Sequence, residues 1–373
     1  MSRNRVIYQS EALFVSDGTL IPTAVHAANK IKQLHRVQSA NYGFSVARQD
    51  VNQFGNLARI DAIILEPPTV NLDFTYYLHS GNNETALGFS VGTGLGTTRS
   101  FISGLIDATQ TADTSTLSGR NFHIFTAPEG NDANNAAGVA FTGDQASTIT
   151  IGNGFVTNYS LEASVGNLPT VSVSVEGLNI NVVEGSTGVL PSLTVETSTA
   201  TSNGFTLPTP SSGDIGISAL RPGDIVMELA DPVLTDMPTG IDTGNTAAHI
   251  QSFSIEVPIG RTTLQRLGTR FGFAKVIDFP IEVTVNVSAT LADLRQAGNL
   301  IDLVNADTTK TLLFKFKDPS GSDKICYQVK GCKLVSENFS SSIGDNKSVD
   351  LVFTTQIGAP QDTTNGVFVA TTV

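Results

Sequence analysis

Val37–Phe74 reads VQSANYGFSVARQDVNQFGNLARIDAIILEPPTVNLDF, and Ile250–Val287 reads IQSFSIEVPIGRTTLQRLGTRFGFAKVIDFPIEVTVNV. Laid over one another at a spacing of 213 residues, the two stretches align without a gap. Identities are few, but Gln38-Ser39 falls on Gln251-Ser252, and Arg48, Gly55, Pro67 and Val70 fall on Arg261, Gly268, Pro280 and Val283. Arg, Gly and Pro each have a charge or backbone role that chance does not readily reproduce at fixed spacing. Apolar residues agree in phase too. Tyr42, Phe44 and Val46 alternate as Ile255, Val257 and Ile259 do, which is the period of a half-buried strand.

The likeness extends beyond these stretches. Phe125–Gly130 (FTAPEG) returns as Phe316–Gly321 (FKDPSG), now 191 residues on, and Val165-Gly166-Asn167 returns as Ile343-Gly344-Asp345, 178 on. The falling spacing implies insertions of 22 and 13 residues in the first copy, assigned to loop-like runs at Gly88–Gly119 and Gly130–Gly154. These insertions are expected to face outward or towards an adjacent ring. A repeat of this size is the first thing to settle, because it fixes the architecture. The reading is two tandem β domains, residues 1–184 and 213–373, with a Ser/Thr/Gly/Pro-rich linker at 185–212 that includes a strand at Leu193–Val195.

Composition agrees with an all-β chain. Charged residues make up only 15% of 373, and Thr, Ser, Val, Gly and Asn fill the gap, favouring strands and turns. Strands are expected at Asn41–Ala47, Val70–Leu78, Phe122–Phe125, Phe155–Val165 and Thr170–Glu176. In the second copy they are expected at Ser252–Ile259, Ile281–Thr290, Thr311–Lys317, Ile325–Val329, Lys333–Ser341 and Ser348–Gln356. Helix is confined to one or two short pieces, with an amphipathic candidate at Leu291–Val304. Arg48–Gly55 and Arg261–Gly268 read as a turn or an extended arm.

The formal charge is −12 and no Lys/Arg cluster is present, which argues against a nucleic-acid binder. Cys326 and Cys332 have neither zinc nor redox spacing, and none of the five histidines pairs with another ligand at metal spacing. Gly92–Thr98 (GTGLGTT) lacks the Lys-Ser/Thr ending of a phosphate loop, and no Gly-x-Ser-x-Gly elbow occurs. The sequence therefore implies no catalytic residue, no cofactor and no metal. It contains no run long and apolar enough for a transmembrane helix, and no membrane insertion is expected.

Three stretches, RQDVNQFGNLARIDAIILEPPTVNLDFTYYL with SGNNETALGF (residues 48–89), NYSLEASVGNLPTVSVSVEGLNI (158–180) and FSSSIGDNKSVDLVFTTQIGAP (339–360), resemble the major tail, or tail tube, proteins of tailed bacteriophages. That resemblance implies a β-sandwich or partly closed barrel with a hairpin arm. It also implies strands shared between subunits around a channel, rings stacked into a tube, and a place in the virion after assembly in the host cytoplasm. The implied partners are further copies of itself, other phage tail proteins, and viral DNA passing through without specific binding. Since such rings carry six tube domains, a chain with two copies implies a trimer of pseudo-sixfold symmetry. The residues expected to carry assembly are Arg48, Gly55, Pro67, Gly166, Arg261, Gly268, Pro280 and Gly344, with the two arginines free to meet an acid on an adjoining subunit. The competing readings are a receptor- or carbohydrate-binding virion protein and a capsid decoration protein.

Overall fold

A computed structural model describes residues 11–17, 31–64, 69–95, 99–106, 119–127, 132–133, 146–184, 187–189, 204–208, 219–229, 248–264, 267, 274–291, 309–340, 346, 348–360 and 362–373. Within these residues the chain is all-β. The first half contributes Glu11–Asp17 (β1), Ile31–Gln33 (β2), Val37–Ser45 (β3), Arg48–Val51 (β4), Asp61–Ile64 (β5), Thr69–Tyr77 (β6), Val91–Gly92 (β7), Arg120–Thr126 (β8), Ser147–Ser164 (β9), Thr170–Gly177 (β10) and Asn179–Glu184 (β11). Thr187–Val189 (β12) and Gly204–Thr206 (β13) pair with each other. The second half adds Ile225–Leu229 (β14), Ala248–Pro258 (β15), Arg261–Leu264 (β16), Ala274–Ile277 (β17), Ile281–Leu291 (β18), Lys310–Lys317 (β19), Asp323–Ser340 (β20), Ser348–Ile357 (β21) and Gly366–Ala370 (β22).

Strict alternation makes these strands. In β6, Val70, Leu72, Phe74 and Tyr76 are buried while Asn71 and Asp73 face water, and in β18 the buried set is Ile281, Val283, Val285, Val287 and Ala289. Eight strands run antiparallel in the order β3-β6-β10-β9-β15-β18-β21-β20, so one sheet crosses from the first half into the second without a break. Two strands, β9 and β20, are 18 residues long and serve two layers. The C-terminal part of each belongs to the eight-stranded sheet. The N-terminal part pairs on both sides, β9 with β8 and β11, and β20 with β19 and β22. The core lies between these layers and is shared by both halves.

The registers of the two halves recur at fixed spacings. Val37 pairs Tyr76 and Ser39 pairs Thr75, with a bulge between, just as Ile250 pairs Ala289 and Ser252 pairs Ser288. Another bulge interrupts β9 against β10 after Ser174, and its counterpart interrupts β20 against β21 after Val352, 178 residues on. The outer layer corrects the sequence alignment by one residue. Phe122 pairs Ile151 and Leu312 pairs Val329, so β8 and β19 correspond at a spacing of 190, not 191. Phe125 therefore matches Lys315, not Phe316. Phe316 points into the shared core, whereas Phe125 packs in a separate small cluster on the other face. A one-residue slip exchanges the two faces of a strand, and burial is what fixes it.

Several expectations need revision. Ile325–Val329 and the expected strand from Lys333 form one continuous strand, β20, not two, with Ser341 outside the described residues. The short helix is Asn82–Leu87 (α1). Of the expected helix Leu291–Val304, Leu291 ends β18 and the remainder lies outside the described residues, as does the linker strand Leu193–Val195. Gly88–Gly119 is not simply an outward loop. Its 3-10 turn Phe101–Leu105 buries Phe101, Ile102 and Leu105, and Phe101 stacks on Phe89 at 4.1 Å between ring centres. Nor is Gly130–Gly154 all loop, since β9 begins at Ser147.

Gly104 shows how tightly that turn is held. A Cβ there would run into the carbonyl oxygen of Gly88 and stand 2.8 Å from the amide nitrogen of Ser90. Gly104→Ala is expected to lower stability by about 1–3 kcal/mol, measured by denaturant unfolding. An unchanged midpoint would show that the turn is not packed as described.

Candidate assembly interface

The joint between the halves is the strand pair β9·β15. Seven residues from Ser252 to Pro258 pair with Ser164 back to Asn158, and the amides of Val165 and Ile259 extend the ladder to Gln251 and Thr157. Beneath it, Tyr159 and Ile255 are buried with Phe253, whose ring stacks on Phe314 at 4.2 Å.

A polar chain threads this apolar joint. Tyr76 donates to Oε1 of Glu84 at 2.7 Å, and Tyr159 donates to the same oxygen at 3.3 Å. The hydroxyls of Tyr159 and Tyr327 lie 2.7 Å apart. Either hydroxyl can donate across this contact. Hence β20 of the second half is tied through β9 to a carboxylate on α1 of the first. Glu84 is fully buried, and that burial raises its pKa from 4.5 to about 7, opposed by the hydrogen bonds from Tyr76 and Tyr159. His123, also fully buried between Ser16 and Thr150, is pushed down to about 3 and stays neutral at pH 7.

Both expected arms are β-hairpins, β4–β5 and β16–β17. The second is docked on the first half of the chain. Arg261 donates from Nε to the carbonyl of Val156 at 3.2 Å with its guanidinium 5.1 Å from the Phe155 ring centre, and Lys275 pairs with Glu176. Arg261 is therefore not the exposed arginine the sequence suggested. Arg48 is exposed and donates to the Ala62 carbonyl of its own hairpin at 3.4 Å. Gly55 and Gly166 hold left-handed turns, with φ of 95° and 86°, where a side chain would be strained. Pro280 sits at the start of β18, whereas Pro67, Gly268 and Gly344 lie outside the described residues. The sequence missed Glu84, Tyr159 and Tyr327, because a strand's tyrosine looks the same whether or not it meets a carboxylate.

The eight-stranded sheet ends on one side at β3, whose pairing among the described residues is with β6 and where Tyr42 and Phe44 are 44% and 68% exposed, and on the other at the C-terminal part of β20. The β4–β5 arm beside β3 exposes Val51, Phe54, Leu57, Ile60, Ile63 and Ile64. No set of three or more His, Cys, Asp or Glu side chains gathers as a metal site among the described residues. A cleft lined by Lys32, His35, Asn82 and Thr85 presents no nucleophile paired with a base.

Because Glu84 has a higher pKa folded than unfolded, the folded state holds the proton more tightly. Stability from this group is therefore full below pH 4.5 and is lost as pH rises to about 7. The loss is on the order of 3 kcal/mol. Glu84→Gln should abolish that loss, so its melting temperature relative to wild type should rise between pH 5 and pH 8. An equal pH response in both proteins would contradict the assignment. No family model matches this chain, and no curated protein matches it in sequence.

Proposed function

We propose that this chain is a structural protein, built from two copies of one β domain, that joins head to tail with further copies of itself to form the rings of a phage tail tube. The observation that carries this reading is the correspondence between the two terminal strands of the eight-stranded sheet and the internal joint. The edge strand β3 corresponds to β15, and the C-terminal part of β20 corresponds to that of β9. The chain thus ends in the two surfaces that already pair in its middle. Placing β20 of one copy on β3 of the next, in the register of β9·β15, sets Tyr42 opposite Phe339 and Asn41 opposite Ser340. The same correspondence lays the exposed β4–β5 arm over Lys333 and Leu334 of the next copy, as β16–β17 lies over Phe155 and Val156.

Unpaired apolar edges are an aggregation hazard, and pairing them with neighbours removes it. A head-to-tail contact of this kind closes into a ring or runs on as a filament. With two β units per chain, three chains supply the six that the resemblance to tail tube proteins implies. The face of the eight-stranded sheet turned away from the core supports a conduit for DNA. It exposes Asp73, Glu162, Glu256, Glu282 and Asp350 among Ser, Thr and Asn, a surface that repels phosphates. Other tail proteins would meet the ends of the tube, and DNA would pass without specific binding.

The register gives a direct test. Ser254 and Glu162 are a non-hydrogen-bonded pair in the internal joint, since the ladder bonds run through Gln251–Val165 and Ile259–Thr157. Such pairs stand about 4.5 Å apart at Cα, within disulfide range. Their counterparts are Asn41 and Ser340. A chain carrying both Asn41→Cys and Ser340→Cys should cross-link under oxidation into closed covalent oligomers. Negative-stain images of the same material should show rings or tubes with a central hole. Uncross-linked compact monomers would reject the reading in favour of a receptor-binding virion protein.

A further inference from the structure

The strand pair β9·β15 is one layer of the seam between the halves, and the outer layer supplies a second. There the first half reaches over the second. Its connection between β6 and β8 sets β7 beside the C-terminal strand β22 as a parallel pair, Val91 with Val369 and Gly92 with Ala370. The amide of Thr371 extends that pair to the carbonyl of Gly92 at 3.0 Å. Leu95 of the same connection packs with Phe368 and Ala370, and the Phe101 ring lies 6.4 Å from that of Tyr327. All five residues of β22 are buried.

The first half has a counterpart of β22 that lacks this cover. β22 pairs β20 as Val367–Val329 and Val369–Tyr327, while β11 pairs β9 as Ile180–Ile151 and Val182–Ile149. The 178-residue spacing that relates β9 to β20 carries Ile151 onto Val329 and Ile149 onto Tyr327. Val182 therefore holds the place of Val369. Val369 is wholly buried, whereas Val182 is 62% exposed. The edge of β11 away from β9 meets no other strand among the described residues. Because β22 faces the first half from within the second, the correspondence turns β11 away from the second half, to the flank where β3 ends the sheet.

Resting on the head-to-tail reading above, we propose that β11 is a docking edge for the second half of a further copy, which adds backbone to that edge and covers Val182. The chain itself shows what the occupant is. The cover of β22 comes from the connection that follows β6, and the counterpart of that connection follows β18. In sequence it carries Leu294, Leu300, Ile301, Leu303 and Val304, apolar side chains suited to an exposed valine. An open strand edge accepts backbone from any source, and the side chains beside it select which segment stays. Each contact between chains then closes in two layers at once, as the internal seam does.

The test places a photoreactive benzophenone side chain at position 182 of the full chain and irradiates a mixture of isotopically light and heavy protein. Mass spectrometry should find it joined to the peptide Gln296–Lys310 of a different chain. Val182→Asp should keep the wild-type melting temperature, since this side chain is exposed in the single chain. It should nevertheless need ~10-fold or more protein to self-associate in analytical ultracentrifugation, because a carboxylate is costly to bury. Val182→Ile should associate as wild type does. If the cysteine-paired chain cross-links while Val182→Asp associates like wild type, β11 takes no part and the inference fails although the joint stands. Cross-links from position 182 that map within one chain, or to any other part of a neighbour, overturn it as well. If neither the cysteine pair nor position 182 links one chain to another, the joint and this docking edge fail together.

Discussion

The backbone hydrogen-bond row along the outer edge of a β-strand has to be satisfied, and this molecule's architecture follows from where its edges are met. In the middle of the chain β15 meets β9, the row is complete, and the side chains beneath it are dry. At the ends, β3 and the C-terminal part of β20 present the corresponding rows, with Tyr42 and Phe44 exposed beside β3. Leaving such edges bare in a monomer invites unselective pairing, which supports the view that a neighbour of matched register completes them.

The internal joint also shows how register is specified. Apolar packing alone tolerates sliding by two residues, because the same face stays buried. The Tyr327–Tyr159–Glu84 chain, with Tyr76 on the same oxygen, admits one alignment, since a slip would leave a buried carboxylate and a phenol without partners. Docking of Arg261 over Phe155 and pairing of Lys275 with Glu176 pin the second arm in the same alignment from the other face. The inserted segment of the first half contributes as well. Phe101 packs edge-on against Tyr159 at 5.0 Å and lies 6.4 Å from Tyr327. What looked like a surface decoration is part of the seam between the halves.

Alternating apolar residues in β6, β10, β15, β18 and β21 determined strand identity and which face is buried, because a period of two leaves no other choice on a half-buried sheet; in β3 the same period made a strand, but Tyr42 and Phe44 are exposed. The Gly55 and Gly166 turns were legible too, whereas of the matched Arg, Gly and Pro positions Pro67, Gly268 and Gly344 lie outside the described residues. Only the tertiary structure decided the one-residue shift of β8 against β19, since FTAPEG and FKDPSG align on their Phe, Pro and Gly while burial acts on the strands. It alone merged two segments into β20, folded Phe101 inward, and brought Glu84 under Tyr159. Those outcomes depend on contacts between residues far apart in the chain, and a linear pattern carries the period of a strand but not the identity of what it will touch.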